Sequence, residues 1–362
     1  MAIAVETSGL TKRYKVGGTF LRRAERTALA LSDVNLKVHS GEVFGVVGRN
    51  GYGKTTLMKC IASLLLPTAG SIRVFGRDVE KENAEVRKLI GWVGTEERSF
   101  YFRLTGEQNL RFFAHLQGIA SPTIGPTIAQ LGEKFGVTEL LGRRFHEYST
   151  GNKQKFAIMR GLLHDPRLLI LDEPSRSLDP FAADDLRDHL RDWVSEKKDR
   201  TILVTSHNLS EVEELSDRVA IMSRGRLRAC GPVDELRKSW GQSETISLLL
   251  KSQPSNWQTL QKNLRSGRWD ELPSGHGSSG HGWLRFEHAP GDGTFPELLS
   301  ALVREKSNIV SVDRQVLTLQ DIIDRVDEAG TLKMDADPTT ALPGPAAFKG
   351  ASARPSQDSE KP

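Results

Sequence analysis

The sequence predicts an α/β protein in which buried strands alternate with amphipathic helices. Val43–Val47, residues 168–171 and Thr201–Thr205 are short, largely apolar runs, as expected for strands that are covered on both faces. A glycine-rich loop follows the first run, and apolar residues from Leu57 to Leu64 then recur at helical spacing. Because α/β sheets bind ligands at the carboxyl ends of their strands, the residues after these runs are candidates for a functional site.

Composition excludes several classes of protein. The 362 residues leave room for more than one domain, and the net charge of +4 supports neither a nucleic-acid-binding surface nor a strongly acidic one. No apolar run approaches the roughly 20 residues of a membrane helix, and the first residues lack the basic start and long apolar stretch of a signal peptide. The only cysteines are Cys60 and Cys230, so no disulfide framework is expected and a reducing cytoplasm is the natural compartment.

Residues 48–55, Gly-Arg-Asn-Gly-Tyr-Gly-Lys-Thr, match G-x-x-x-x-G-K-[ST], the phosphate-binding loop of nucleoside-triphosphate enzymes. The glycines let successive backbone N–H groups converge on phosphate oxygens. Lys54 can reach the β- and γ-phosphates, and Thr55 offers a hydroxyl to Mg²⁺. The alternative is a glycine-rich turn without a ligand, but the strand before the loop and the helix after it favour an anion site.

The apolar run at 168–171 ends in two acidic residues, Asp172 and Glu173. Adjacent residues of a strand point to opposite faces, so these two carboxylates cannot share one role. Asp172 is placed to hold Mg²⁺ through water, and Glu173 is placed to polarise the water that attacks the γ-phosphate. The alternative, an acidic turn after a core strand, is credible only in the absence of Lys54.

Several further positions are ambiguous by themselves. Tyr14 could stack on a nucleotide base or simply end a strand. Ser149 and Gly151 stand at the start of a helix, where they could present a hydroxyl and N–H groups to an anion or merely cap the helix. Asp179 is expected to cap a later helix. A lone histidine is more often structural, but His207 follows a buried strand at the edge where α/β sheets bind ligands.

The remaining pattern before residue 240 predicts additional strands and helices. Strands are expected at residues 3–14, 27–39, 70–76, 90–93, 219–222 and 226–230. A helix is expected to open at Thr105 and to run through Leu116. The glycine- and proline-rich stretch at 118–126 is expected to break this pattern, with a small helical segment continuing to Leu141.

Beyond residue 240 the pattern predicts a small α/β appendage that extends to residue 328. Its strands are expected at 246–250, 283–286 and 309–312, and its helices at 257–264 and 295–303. Thr318, with Asp321 three residues later, forms a capping-box pattern that opens a final helix. From residue 329 onward the chain is rich in Ala, Pro, Lys, Ser and Asp and poor in large apolar residues, which predicts a disordered tail.

Taken together and in this order, the motifs resemble those of the nucleotide-binding subunit of an ABC transporter. The resemblance covers roughly residues 3–240: the phosphate loop, the signature at 148–152, the Walker B segment with Glu173, the D-loop with Asp179 and the switch histidine His207. It implies a P-loop NTPase of the ABC type, with a RecA-like core, an antiparallel β subdomain and a helical subdomain. The implied organisation is an ATPase domain at 1–240, an extension at 241–328 and a disordered tail at 329–362.

The resemblance also implies a set of site residues for ATP and Mg²⁺. The residues that would contact ATP are Tyr14, Gly48, Arg49, Asn50, Gly51, Tyr52, Gly53, Lys54, Thr55, Thr56, Ser149, Gly151 and Asp179. Glu173 and His207 would be catalytic, and Thr55 and Asp172 would hold the metal.

Two departures from the family pattern stand out. The signature is Tyr-Ser-Thr-Gly-Asn rather than Leu-Ser-Gly-Gly-Gln, although Ser149 and Gly151 are retained. The family's glutamine loop lacks a glutamine here: counting forward from Val93 gives Thr95, and counting back from Arg103 gives Glu96. A glutamate could still reach the metal with an added charge, so Glu96 is assigned as a further metal-proximal residue.

The implied function is an ATP-hydrolysing subunit, peripheral on the cytoplasmic face of the membrane, that drives a separate transmembrane permease subunit. Two copies would form a head-to-tail dimer, most simply a homodimer, with each ATP between the phosphate loop of one copy and Ser149 to Gly151 of the other. The C-terminal extension and the lack of a binding-protein domain favour export. The alternative is a soluble ABC ATPase of translation or DNA repair. Such proteins usually carry a second ATPase half or a long coiled-coil insertion, and neither is visible in this sequence. A regulatory module that does not hydrolyse ATP is disfavoured by Glu173.

Overall fold

The computed structural model describes residues 2–16, 26–94, 100–176, 178–240, 244–255, 257–271, 282–288, 293–305, 307–315 and 318–329. These residues divide into two units. The first contains the described residues up to Val233 together with the end of the last helix from Val326, and it carries the candidate site. The second runs from Asp234 to Arg325. The predicted disordered tail at 329–362 lies outside the described residues except for Ala329, which is the last residue of the final helix.

The strands and helices of the first unit follow the predicted order. The strands are β1 (Ile3–Val16), β2 (Arg26–His39), β3 (Val43–Val47), β4 (Ala69–Val74), β5 (Arg77–Asp78), β6 (Ile90–Val93), β7 (Leu168–Asp172), β8 (Thr201–Thr205), β9 (Arg218–Ser223) and β10 (Arg226–Gly231). The helices are α1 (Lys54–Ile61), α2 (Asn83–Leu89), α3 (Gly106–Leu116), α4 (Ser121–Lys134), α5 (Thr150–Leu162), α6 (Pro180–Glu196) and α7 (Leu209–Leu215). The short helices α2 and α7 and the short strand β5 are not among the elements that the sequence pattern predicts.

One sheet of the first unit has the described strand order β10-β9-β3-β8-β7-β6. Neighbouring strands from β9 to β6 run parallel, whereas β10 pairs antiparallel with β9. Strands β3, β7 and β8 are buried along their full length, as expected of parallel strands that are covered on both faces. This sheet confirms the α/β core that the apolar runs predict.

The register of this sheet determines where the candidate residues meet. Val46 of β3 and Asp172 of β7 both pair with Thr205, the last residue of β8. Because the three strands are parallel, they end at the same edge of the sheet. The phosphate loop, the acidic pair and His207 therefore leave the sheet side by side.

A second sheet of the first unit, with the described order β2-β1-β4-β5, is antiparallel. Apolar residues on its inner face, among them Leu10, Leu31 and Ile72, pack in one cluster with Leu57 and Met58 of α1. This arrangement confirms the antiparallel β subdomain and places β2 next to the helix that follows the phosphate loop.

Helices α3, α4 and α5 form a helical region around buried aromatic residues. Phe135, Phe145 and Phe156 lie in its core. Thr105 caps α3 as predicted: its hydroxyl accepts the Gln108 N–H at 3.2 Å, and the Gln108 side chain accepts the Thr105 N–H at 2.9 Å. No helix among the described residues is both long and apolar enough to cross a membrane.

The predicted break at 118–126 is wrong in extent. The interruption is short, since α4 begins at Ser121 and continues through Pro126. Proline in a helix interior removes one hydrogen bond and costs about 3 kcal/mol. Burial of Ile124 and Ile128 in the helical core offsets this cost, so tertiary packing overrides the local breaker.

The second unit is a small α/β fold. Its helices are α8 (Val233–Trp240), whose first residue belongs to the first unit, α9 (Trp257–Asn263), α10 (Thr294–Arg304) and α11 (Leu319–Ala329), whose end likewise belongs to the first unit. Its strands β11 (Glu244–Leu250), β12 (Arg265–Glu271), β13 (Gly282–His288) and β14 (Ile309–Gln315) form an antiparallel sheet of described order β12-β13-β11-β14. The predicted cap of α11 is confirmed, since the Thr318 N–H donates to Asp321 at 2.8 Å and the Asp321 N–H donates to Thr318 at 3.2 Å.

Candidate nucleotide-binding and catalytic site

In the phosphate loop between β3 and α1, close packing allows only glycine at two positions. Gly48 adopts a φ of +144°, and a Cβ atom there would lie 2.2 Å from the Met222 carbonyl oxygen. Gly53 adopts a φ of +94°, and its Cβ would lie 2.5 Å from the Ala30 carbonyl oxygen. Met222 of β9 and Ala30 of β2 therefore leave no room for a side chain at either position, and the positive φ angles favour glycine as well.

Lys54 is folded into the loop that precedes it. Its side chain is 6% exposed, and Nζ donates to the carbonyl oxygens of Gly48 at 2.6 Å and Arg49 at 3.3 Å. Burial lowers the pKa of Lys54, and the nearby carboxylates of Glu173 and Asp172 counteract that effect. The ammonium is thus desolvated and held by neutral acceptors, which phosphate oxygens would replace with stronger, charged ones.

Asp172 and Thr55 bring together oxygen atoms that suit a metal ion. The Thr55 hydroxyl donates to Asp172 Oδ1 at 3.2 Å, and the Thr205 hydroxyl donates to the same atom at 2.7 Å. Mg²⁺ prefers oxygen ligands and usually binds through one or two carboxylates, substrate phosphates and water. The described residues contain no cluster of three or more His, Cys, Asp or Glu side chains that could hold a metal alone.

Glu173 lies beside Asp172 in a strained conformation. Its φ is +53°, in the left-handed region, and its N–H donates to the Thr205 carbonyl at 2.9 Å and hydroxyl at 3.1 Å. Left-handed backbone at a non-glycine residue is costly and is concentrated at functional sites. The conformation turns the Glu173 carboxylate, 18% exposed, towards His207 Nδ1 at 3.6 Å and Arg176 Nη1 at 3.8 Å.

Three residues near the acidic pair were not singled out from the sequence. Thr205 hydrogen-bonds both Asp172 and Glu173 and so fixes their relative position. Arg176 brings a cation close to Glu173. Buried Glu211 accepts hydrogen bonds from Ser206 at 2.8 Å and from Ser175, and it thereby ties the turn after β7 to the turn after β8. A polar residue at the end of a buried strand was the available signal for Thr205, and a polar residue directly after that strand was the signal for Ser206.

A cleft of about 610 Å³ opens in front of these groups. Thr55, Asp172, Glu173 and Arg176 line it, and so do Trp92 and Gly94 at the end of β6. Thr95 and Glu96, the two candidates for the glutamine position, follow Gly94 and lie outside the described residues.

The remaining candidate residues fall into two groups. Tyr14 is near the loop, with its hydroxyl 3.4 Å from Thr56 Oγ1 and its ring partly exposed. Ser149 caps α5 through the Asn152 N–H at 3.2 Å, and Asp179 caps α6 through the Ala182 N–H at 3.0 Å. These two caps are neighbours, since a Cβ on Gly151 would lie 3.7 Å from Ala182 Cβ. No described hydrogen bond or ion pair joins this second group to residues 48–56 of the same chain.

Comparison with known proteins agrees with this geometry. A family model described as ABC transporter matches residues 31–176. The ABC transporter ATP-binding protein NatA of Bacillus subtilis (strain 168) is 37% identical over 228 residues, which are 63% of this chain and 92% of NatA. The bacitracin transport ATP-binding protein BcrA of Enterococcus faecalis is 37% identical over 240 residues, which are 66% of this chain and 72% of BcrA.

A solved structure, described as the ATP-binding subunit of an ABC transporter, superposes with a TM-score of 0.54 at 28% identity. The match covers 65% of this chain and 92% of that chain. The phosphate loop, the acidic pair at the end of β7 and these relatives lead to the same conclusion: the chain belongs to the ATP-binding, ATP-hydrolysing subunits of ABC transporters.

Proposed function

We propose that residues 48–56 bind the triphosphate of ATP and that Glu173 is the general base for its hydrolysis. One observation carries the proposal: the Lys54 and Thr55 side chains and the carboxylates of Asp172 and Glu173 meet at the edge of the sheet, where Thr205 hydrogen-bonds the Asp172 carboxylate and the Glu173 backbone N–H. Tyr14, beside Thr56, is the proposed platform for the base of the nucleotide.

In the proposed mechanism each side chain has a separate task. Lys54 exchanges its carbonyl acceptors in the loop for the β- and γ-phosphate oxygens and neutralises part of their charge. Oxygens of Thr55 and Asp172 would hold Mg²⁺, which supplies charge stabilisation to the transferred phosphoryl group. Glu173 accepts a proton from the attacking water. His207, whose Nδ1 lies 3.6 Å from Glu173 Oε2, orients that base.

We propose that the group formed by Ser149, Gly151 and Asp179 completes the site of a second copy. These residues cap helices at the protein surface and have no described contact with the phosphate loop of their own chain. The Ser149 hydroxyl and the N–H groups at the start of α5 form an anion-binding end of a helix. A head-to-tail dimer would place that end opposite the γ-phosphate, with ATP between the two copies.

The transmembrane permease subunit is proposed to dock at a groove beside the helical region. The groove measures about 800 Å³, and its lining includes Trp92, Leu116, Arg87 and His164. Leu116 is 68% exposed and Leu64 is 53% exposed, so this groove presents two large apolar side chains that a partner could cover. Trp92 lines both this groove and the catalytic cleft, so a docked segment would lie next to the site of hydrolysis.

The cellular location, the direction of transport, the domain bounds and the glutamine position are further parts of the proposal. We propose a peripheral location on the cytoplasmic face of the membrane and an export function, supported by a C-terminal unit like the extension of many exporter ATPases. The proposed ATPase domain is 1–240 and the extension 241–328. Glu96, in the segment between Gly94 and Phe100, is proposed as the residue that replaces the family's glutamine next to the metal.

Replacing Lys54 with alanine is expected to weaken ATP binding by roughly 10- to 100-fold, because the triphosphate loses a charge-assisted hydrogen bond in a buried site. The measurement is the ATP-dependent rise in melting temperature of the purified full chain. Lys37→Ala, which removes a surface lysine from β2, is the matched control. A wild-type thermal shift in Lys54→Ala would remove Lys54 from its proposed role.

Replacing Glu173 with glutamine should leave ATP binding intact and slow steady-state hydrolysis by roughly 10²-fold or more, the scale of a lost general base. Glu82→Gln, in an exposed ion pair with Arg77, controls for the loss of a carboxylate. Phosphate release and ATP affinity are measured on the same preparations. Turnover at the wild-type rate in Glu173→Gln would exclude this residue as the base.

The Glu173→Gln protein should also accumulate as an ATP-bound dimer, because the bound triphosphate joins the two copies until it is hydrolysed. Adding Ser149→Arg to this variant should leave it monomeric, since a long side chain would occupy the proposed interface. Sedimentation velocity with and without Mg²⁺ and ATP measures both outcomes. Arg143→Ala, a change at an exposed position before the signature, serves as a control that should still dimerise. Dimerisation of the Ser149→Arg double variant would contradict the proposed interface.

A further inference from the structure

Asp327, near the end of α11, contacts the outer side of the phosphate loop. Its Oδ2 accepts a hydrogen bond from the Tyr52 hydroxyl at 3.1 Å and lies 3.1 Å from Arg49 Nε. Its Oδ1 accepts a hydrogen bond from the Ser223 hydroxyl at 2.6 Å. The segment from Val326 clusters with the first unit, so these contacts lie within the unit that carries the nucleotide site.

The Asp327 carboxylate is largely shielded from solvent in this contact. The Asp327 side chain is 10% exposed, and several donors converge on its two oxygens. Burying a carboxylate is unfavourable unless charged or hydrogen-bonding partners compensate for the lost water. The loop and the end of β9 supply these partners, which is why the end of α11 is held at this place.

The two loop residues in this contact occupy positions that the phosphate-loop pattern leaves open. In G-x-x-x-x-G-K-[ST], Arg49 is the first variable position and Tyr52 is the last, so phosphate binding does not require their side chains. Both direct a polar group to the same oxygen of Asp327. The carboxylate outside the loop is therefore a described partner of both side chains.

Backbone contacts brace the same part of the loop. The Gly225 N–H, in the turn after Ser223, donates to the Tyr52 carbonyl oxygen at 3.2 Å, and the Gly225 carbonyl accepts the Ser32 N–H at 2.8 Å. This turn thus holds the loop from one side. Asp327 adds a side-chain contact that joins Arg49 and Tyr52, the two ends of the segment 49–52.

We propose that Asp327 is a positioning residue of the nucleotide site, which holds the phosphate loop in the conformation that accepts ATP. The inference rests on the proposed assignment of residues 48–56 to the triphosphate. A loop that is ordered before binding loses less conformational entropy when the ligand arrives. The contact does not reach Glu173 or the attacking water, so it acts on nucleotide affinity and leaves the chemical step unchanged.

Asp327→Ala is expected to raise the Kd for ATP and for ADP by about five- to tenfold, because a preorganised loop benefits both nucleotides equally. The kcat at saturating ATP should stay within about twofold of wild type, so the effect appears in KM. Calorimetric titration of the purified full chain with each nucleotide and Mg²⁺ gives the affinities. The matched control is Asp324→Ala, which removes a carboxylate one turn earlier on α11, where it accepts a hydrogen bond from Gln320.

A double-mutant cycle separates positioning from a general loss of stability. Tyr52→Phe removes only the hydroxyl that Asp327 accepts, so its effect on the Kd should largely disappear in the Asp327→Ala background. Asp327→Asn keeps an acceptor oxygen for Tyr52 and loses the charge beside Arg49, so it should give an intermediate Kd. It also keeps the test available should Asp327→Ala fail to fold.

The proposal is overturned if Asp327→Ala binds ATP as tightly as Asp324→Ala, if kcat falls while both Kd values are unchanged, or if the effects of Tyr52→Phe and Asp327→Ala simply add. Lys54→Ala in the same titration separates the assignment of the nucleotide site from the role of Asp327. Normal ATP binding by Lys54→Ala would overturn the site assignment itself. Lost binding by Lys54→Ala together with normal binding by Asp327→Ala would overturn only the role of Asp327.

Discussion

Thr205 is the point on which the geometry of the site depends. As the last residue of β8, it pairs in register with both β3 and β7. Its hydroxyl donates to Asp172, and its hydroxyl and carbonyl oxygens accept the Glu173 N–H. Buried or half-buried carboxylates without partners would be strongly destabilising. The parallel register therefore provides the hydrogen bonds that anchor the Asp172 carboxylate and the Glu173 backbone beside Lys54.

The phosphate loop is constrained from outside in a comparable way. Gly48 and Gly53 are pressed against the carbonyl oxygens of Met222 and Ala30, and the β9–β10 turn and Asp327 hold the segment between them. Within the loop, the Lys54 ammonium is held by the carbonyl oxygens of Gly48 and Arg49. A preformed anion site needs a loop that is held rigidly by its surroundings and a cation that can exchange its carbonyl acceptors for the anion.

The elements that the sequence predicts well are those whose pattern is local. A phosphate loop has a fixed spacing, and the buried strands β3, β7 and β8 are continuous apolar runs, so both are recognised without the fold. The predicted break at 118–126 was wrong because Pro126 is outweighed by the burial of neighbouring isoleucines, which depends on distant helices. Tyr52 and Asp327 are 275 residues apart in the chain, and no local pattern connects them.

The same limit applies within the site. The position of Ser149 next to a helix start could be predicted, but its distance from its own phosphate loop depends on how the helical region packs on the sheet. Arg176 was missed because a single basic residue in a turn carries no pattern, and its closeness to Glu173 follows from the left-handed φ of that residue. Strain of this kind is imposed by the surrounding structure and is not encoded in neighbouring residues.

The central claim is that each γ-phosphate lies between the loop at 48–56 of one copy and Ser149 of another. Vanadate trapped with ADP and Mg²⁺ occupies the γ-phosphate position, and irradiation then cuts the backbone that lies against it. The account predicts cuts in two places, within residues 48–56 and at residues 149–151, with both lost together when the copies cannot associate. Cuts confined to residues 48–56 would contradict it, because the site would then be complete within a single chain.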